Sequence, residues 1–482
     1  MEDRTLGRCL TEYAGGGYYP YHMPGHKRRG AQGGSFSEAL AASMRYDITE
    51  IDGFDNLHEP EGILLEAQER AAALYGADDC FYSVNGSTAG ILTAVSAAVP
   101  EGGKLIMARN CHKAVYHSVY LRHLEPVYLY PGTVGDTELA APVTAAQVEE
   151  ALEQNPDAKA VLIVSPTYDG VAADVAGIAK AVHRRGVPLI VDAAHGAHFG
   201  LHPGFPESPV RLGADLTVVS LHKTMPCPTQ TALLLCCGSR VAKERLRLFE
   251  GIYQTSSPSY LLMAAMDECV SAVRRTGAAL WDAFFRERAA FLEQCSGLSG
   301  LRILTDGTFE LGKTGEQLKF LMDPGKILIE TSKTCLTGKQ FYDILLEQYH
   351  LQMEMAAGNY VTAIMTCCDS KEGWQRLAEA LVSIDRSVAG SVPGHESRLR
   401  EYPFLEKAVS LTEALDAPKE KASLEEAEGK ISGGFVNLYP PGIPVVVPGE
   451  RISCEAARLI MRYRQQNLPL QGAEEGAITI LK

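Results

Sequence analysis

Lys223 stands in Ser220-Leu221-His222-Lys223-Thr224, directly after the apolar run DLTVVS at 215–220. A lysine at the end of a buried strand is partly desolvated. Its pKa falls, and it becomes suited to forming a Schiff base with a carbonyl. Ser220 and His222 beside it offer hydrogen bonds to an anion. Upstream, Asp192 follows a second apolar run, VPLIV at 187–191, and leads into Ala193-Ala194-His195-Gly196. Carboxylates at the C-terminal edge of parallel strands face the crevice where ligands bind. A strand-end lysine with a strand-end acid suits pyridoxal phosphate (PLP), whose pyridine nitrogen needs a carboxylate to stay protonated. Asn85-Gly86-Ser87-Thr88 opens an apolar helical stretch. Free backbone N–H groups, the helix dipole and two hydroxyls make a phosphate site there. His112 follows the strand-like KLIMA run and supplies a flat imidazole able to stack on an aromatic cofactor. Singly, each has a plain structural reading: a lysine reaching solvent, a turn aspartate, a helix N-cap, a surface histidine. Their order along the chain makes the set specific.

The elements that must position these residues are legible as an α/β pattern. Helices are expected at 62–75, stopped by Gly76, at 89–99 and at 174–185. Buried strands are expected at 158–164, 187–191, 215–220 and 231–237. Strands separated by helices argue a mainly parallel sheet with covered faces. Residues 240–295 are helical in pattern, and 300–385 alternate strand-like and helical pieces. The reading divides the chain into an N-terminal arm at 1–35, a large ligand-binding domain at 36–295 and a small α/β domain at 296–386. A linker at 387–401 and a C-terminal domain at 402–482 complete it. The last begins with a charged, helix-like stretch at 411–430.

Composition narrows the function classes. The 482 residues are 46% hydrophobic and 22% charged, as in ordinary globular proteins. Forty-five basic against 59 acidic residues give a formal charge of −14, unfavourable for binding phosphate backbones. No apolar run approaches the length of a bilayer span. The first ten residues lack a signal-peptide core, so a cytoplasmic protein is expected. The 12 cysteines include no C-x-x-C and read as reduced thiols. His195, His198 and His202 sit in a Gly/Pro-rich stretch rather than on one helix face, so no metal site is expected.

The chain resembles the bacterial ornithine/lysine/arginine decarboxylases, in the short form that lacks an extra N-terminal receiver-like domain. The resemblance rests on MPGHK at 23–27, TEIDGFDNLHEPEG at 49–62, VNGSTAG at 84–90 and ARNCHKAV at 108–115. It continues through SPTYDG at 165–170, DAAHGAHFG at 192–200, SLHKTMPCPTQTA at 220–232, TSSPSY at 255–260 and YPPGIPVVVPGE at 439–450. It implies PLP fold type I, the aspartate-aminotransferase fold. Lys223 would carry the cofactor, Asp192 would pair with its pyridine nitrogen, and His112 would stack on the ring. Ser87, Thr88, Ser220 and His222 would hold the phosphate. Ala194 would pack under the ring, His195 would sit near cofactor or substrate, and Thr167 would lie close by. Ser256 and Ser257 are weaker candidates. Ala193 and Pro228 depart from the pattern expected of close relatives. The implied reaction is decarboxylation of arginine, lysine or ornithine in a homodimer, with active sites at the subunit interface. The alternatives are another PLP reaction (transamination or β-elimination) and a catalytically silent binding relative. A basic substrate calls for an acid at the far end of the pocket. Glu450 and the acids between Asp52 and Glu61 are candidates.

Overall fold

The computed structural model describes residues 4–28, 38–135, 137–305, 307–311, 316–391, 403–438, 442–473 and 476–482. Part of the expected arm (29–35), most of the expected linker (392–401) and the start of the YPPG motif (439–441) lie outside them. The chain forms two compact units, one of Met1–Ala98 with Pro188–Trp281, the other of Val99–Val187 with Asp282–Lys482.

In the first unit four strands lie in the order Asp79–Ser83, Ala232–Cys236, Leu216–Ser220, Leu189–Asp192. The last two are parallel, and Ala232–Cys236 runs antiparallel to both its neighbours. All residues of Leu216–Ser220, Leu189–Asp192 and Ala232–Cys236 are buried. Strands covered on both faces read as unbroken apolar runs, which is why these were visible in the sequence. The helix Ile63–Tyr75 ends at Gly76 in a left-handed cap, φ 79°. The helix Gly86–Ala98 lies close to the strands because Gly90 has no side chain. A Cβ there would come within 3.0 Å of Val218. The expected helical region after 240 is two helices, Lys243–Tyr253 and Tyr260–Gln294, parted by the Pro258 segment. Near the N-terminus, the wholly buried Asp267 accepts from the Leu6 N–H (2.8 Å) and from Arg70 Nη2 (2.9 Å).

In the second unit Ala160–Val164, Lys104–Ala108 and Glu125–Leu129 form a parallel run in that order. A four-stranded antiparallel sheet contains Lys326–Glu330 and Tyr360–Ile364, accompanied by the helices Gly338–Tyr349 and Lys371–Val388. Further along, Lys419–Ser423 pairs with Ala477–Leu481. The helix Cys454–Gln465 buries Ile460 and Tyr463 against Val436 and Val446. Here one expectation fails. The charged stretch at 411–430 is helical only over Leu411–Asp416, six residues. Pro418 cannot donate to a helix, and Lys419–Ser423 has a strand partner to satisfy its backbone. No helix among the described residues is long and apolar enough to cross a membrane.

Candidate active site

Two parallel strands of the first unit end in functional residues. Leu189–Asp192 ends in the buried Asp192. Leu216–Ser220 ends in the buried Ser220 and runs into the short helix Leu221–Thr224, which carries His222 and Lys223. The chain after Asp192 folds back. Asp192 Oδ1 accepts from the Ala194 N–H at 3.1 Å, and Ala194 O accepts from the Ser220 N–H at 3.4 Å. That turn aims His195 at the lysine: Lys223 Nζ and His195 Nε2 are 3.2 Å apart. The structure therefore brings together Asp192, Ala194, His195, Ser220, His222 and Lys223.

Electrostatics fit this geometry. Burial raises the Asp192 carboxyl pKa. The Lys223 ammonium and the Ala194 N–H oppose that shift without cancelling it. A buried acid held in this way gains most from a cationic partner, which a protonated pyridine nitrogen would be. Burial lowers the His222 pKa, with the Thr231 carbonyl opposing and the Lys223 charge adding to the fall. Its Nδ1 lies 3.0 Å from Thr231 O, and a carbonyl can only accept. The neutral ring thus spends its one N–H on Thr231, so His222 can donate to an anion only when protonated.

Ser87 and Thr88 lie in the first turn of Gly86–Ala98, Ser87 half-buried and Thr88 exposed. The entry is a tight turn with Gly86 at φ 75°. First-turn N–H groups have no partner within their own helix. The Ser220 hydroxyl oxygen is buried and makes no hydrogen bond among the described residues. An orphaned buried hydroxyl, a helix N-terminus with two hydroxyls, a strand-end lysine and a buried acid are the donor set that PLP requires. The residues present fit the group.

His112 and Thr167 belong to the second unit. His112 caps the helix Lys113–Leu121, its Nδ1 accepting from the Ala114 N–H at 3.2 Å. Thr167 is buried in the SPTYDG loop, where its Oγ1 accepts from the Val171 N–H at 3.1 Å. Glu450 is not a free acid for a substrate side chain. It is 1% exposed and takes two hydrogen bonds from Arg109, at 3.2 and 2.9 Å. The Val447 N–H donates to it as well. Sequence reasoning passed over Arg109. Its one signal was a charge placed immediately after the apolar KLIMA strand.

Comparison with known proteins shows the family. The family model described as the Orn/Lys/Arg decarboxylase major domain matches residues 5–309, and that of the C-terminal domain matches 401–468. An arginine decarboxylase of Bacillus subtilis (strain 168) is 31% identical over 486 residues, covering 100% of this chain and 98% of that protein. The lysine decarboxylase LdcA of Pseudomonas aeruginosa is 22% identical, covering 95% of this chain and 75% of that protein. The crystal structure of the Francisella novicida lysine decarboxylase LdcF superposes with a TM-score of 0.82 at 18% identity. That match covers 99% of this chain and 81% of the other. The architecture is PLP fold type I. The chain belongs to the Orn/Lys/Arg decarboxylase family, whose members are PLP-dependent amino-acid decarboxylases.

Proposed function

We propose that this chain binds PLP at Lys223 and removes the α-carboxylate of a basic amino acid, with arginine the first choice. The observation that carries the reading is the approach of Lys223 Nζ to His195 Nε2 at 3.2 Å, beside the buried Asp192. Arginine is favoured because a relative matched over 98% of its length at 31% identity is named an arginine decarboxylase, whereas the lysine enzyme stands at 22%.

When bound, PLP supplies an electron sink for the pair released as the Cα–carboxylate bond breaks. The chain's own residues do the rest. Asp192 would hold a proton on the pyridine nitrogen as its carboxylate partner, a pairing that offsets the cost of burying the Asp192 charge. Ser87, Thr88 and Ser220, joined by protonated His222, would hold the phosphate, and Ala194 would pack against the ring. The resemblance assigns the stacked imidazole to His112 and a nearby contact to Thr167. Lys223 Nζ would deliver a proton to Cα. His195 Nε2 lies within reach to resupply that proton. The ammonium carboxylate and one proton become the amine and carbon dioxide, so the reaction consumes a proton. We further propose a homodimer. The exposed Tyr18, Tyr19, Tyr21 and Met23 of the arm support this reading as apolar surface available for burial.

The test incubates PLP-loaded protein separately with L-arginine, L-lysine and L-ornithine and measures carbon dioxide and amine, with Lys223→Ala as control. Release from arginine above the others, abolished in the control, is expected. Borohydride reduction should fix the cofactor mass on the peptide containing Lys223. Release from none of the three, with the cofactor trapped on Lys223, would overturn the substrate class. Failure to trap cofactor there would overturn the site.

A further inference from the structure

The strand Asp79–Ser83 hands over to the helix Gly86–Ala98 through Val84 and Asn85 alone, and both are fixed from outside. Gln254, 7% exposed, follows the helix Lys243–Tyr253. Its Oε1 accepts from the Val84 N–H at 2.8 Å. Its Nε2 donates to Tyr82 O at 3.0 Å and to Glu250 Oε1 at 2.8 Å. One side-chain amide thus serves a donor and an acceptor of the main chain at the strand end. The neighbouring Tyr253 O accepts from Asn85 Nδ2 at 3.4 Å. From the opposite side Gln230 Nε2 donates to Val84 O at 3.3 Å. Gln230 belongs to the loop that follows Lys223. Both polar groups of the Val84 main chain are therefore held by glutamine side chains, two residues ahead of the Gly86 turn.

We infer that Gln254 is a positioning residue for the cofactor phosphate, with Gln230 as its counterpart. Gln254 touches no atom of the proposed cofactor site. It sets where the strand stops, and so where the first-turn N–H groups and the Ser87 and Thr88 hydroxyls point. Phosphate recognition by backbone N–H groups needs those vectors to converge, and a loop free to shift loses that convergence. Gln230 extends the brace to the lysine loop, so phosphate and lysine ends of the site keep a common reference in Val84. This inference rests on the proposal that the chain binds PLP.

The experiment is an absorbance titration of apo-protein with PLP and, separately, with pyridoxal, which lacks the phosphate. Gln254→Met keeps side-chain length and removes both hydrogen-bonding atoms. We expect its PLP dissociation constant to rise tenfold or more, equivalent to about 1.4 kcal/mol, with pyridoxal affinity within about twofold of wild type. Should Gln254→Met not fold, Gln230→Asn decides. Gln230 is exposed and holds φ 79°, a conformation asparagine tolerates, but asparagine is too short to reach Val84 O. It should show the same selective loss on a smaller scale. Equal loss of PLP and pyridoxal affinity, or no loss of either in folded variants, overturns the positioning role. Wild-type protein that binds neither compound overturns the PLP reading itself.

Discussion

Replacing Glu450 by alanine should cost about 3–5 kcal/mol of stability in the second unit, the range for stripping a buried ion of its partner. Arg109 and Glu450 are each 1% exposed. Beyond Glu450, Arg109 Nη1 donates to Pro444 O at 2.7 Å and to Tyr116 Oη at 3.1 Å. The rings of Tyr116 and Tyr128 lie 5.7 and 5.6 Å from its guanidinium carbon. Burial opposes the charge on Arg109, but the Glu450 carboxylate together with Tyr116, Tyr128 and Tyr130 outweighs it and keeps the guanidinium ionised. Among the described residues Glu450 supplies the countercharge that Arg109 contacts directly, and alanine removes it. It also takes the acceptor from the Val447 N–H, a further 1 kcal/mol or so. The assay is urea unfolding followed by hydrogen exchange at the amides of 443 and 445–447. Glu450→Ala alone should release these amides early. The double replacement Arg109→Met with Glu450→Leu should recover much of the loss, because no charge is left buried. A loss below about 1 kcal/mol, the range of an exposed pair, would refute the reasoning. A raised KM for arginine with stability unchanged would return Glu450 to the role of substrate acid.

Glu250 gives a pH prediction. Burial raises its carboxyl pKa from 4.5 to about 8, against the Gln254 hydrogen bond. A raised carboxyl stabilises the fold while protonated, so its contribution is complete below about pH 4.5 and is lost as pH rises toward 8, by about 1.4 kcal/mol per unit. Wild type should weaken relative to Glu250→Gln across pH 5–8 in urea melts, and parallel profiles would exclude the effect. Arg70→Met removes the guanidinium paired with the buried Asp267 carboxylate and should cost about 3–5 kcal/mol. Limited proteolysis should then clip the helix Leu6–Gly15 before the rest of the chain. Gly472→Ala should destabilise the C-terminal region by at least about 2 kcal/mol. The position has φ 84°, and a Cβ would meet Phe435 O at 1.9 Å. A thermal melt unchanged from wild type would show that the backbone there yields.

What the sequence made legible followed from what strands and sites demand of residue type. AVLIV, LTVVS and ALLLC are buried on nearly every residue, so their apolar runs stand out without alternation. Asp192, Ser220 and Lys223 were readable because polar residues interrupt those runs where strands end. The stretch after 416 misled because Lys and Glu are good helix formers, and its strand partner, Ala477–Leu481, lies far along the chain. Glu450 misled for the same reason: an acid in a Pro/Gly-rich segment gives no hint of an arginine 341 positions earlier. The His222 tautomer was equally hidden, since it depends on where Thr231 O falls in space.

That 341-residue separation has a consequence for biosynthesis. At about 5–20 residues per second, Arg109 leaves the ribosome roughly 20–70 s before its carboxylate exists. Through that interval the segment after KLIMA must keep its guanidinium hydrated, and its part of the second unit cannot close into native form. A chain stalled or truncated before 450 would carry an arginine with nowhere dry to settle. Such nascent chains should engage chaperones until the last tenth of the protein appears, and the strand-to-helix step bearing His112 should be among the last parts to set.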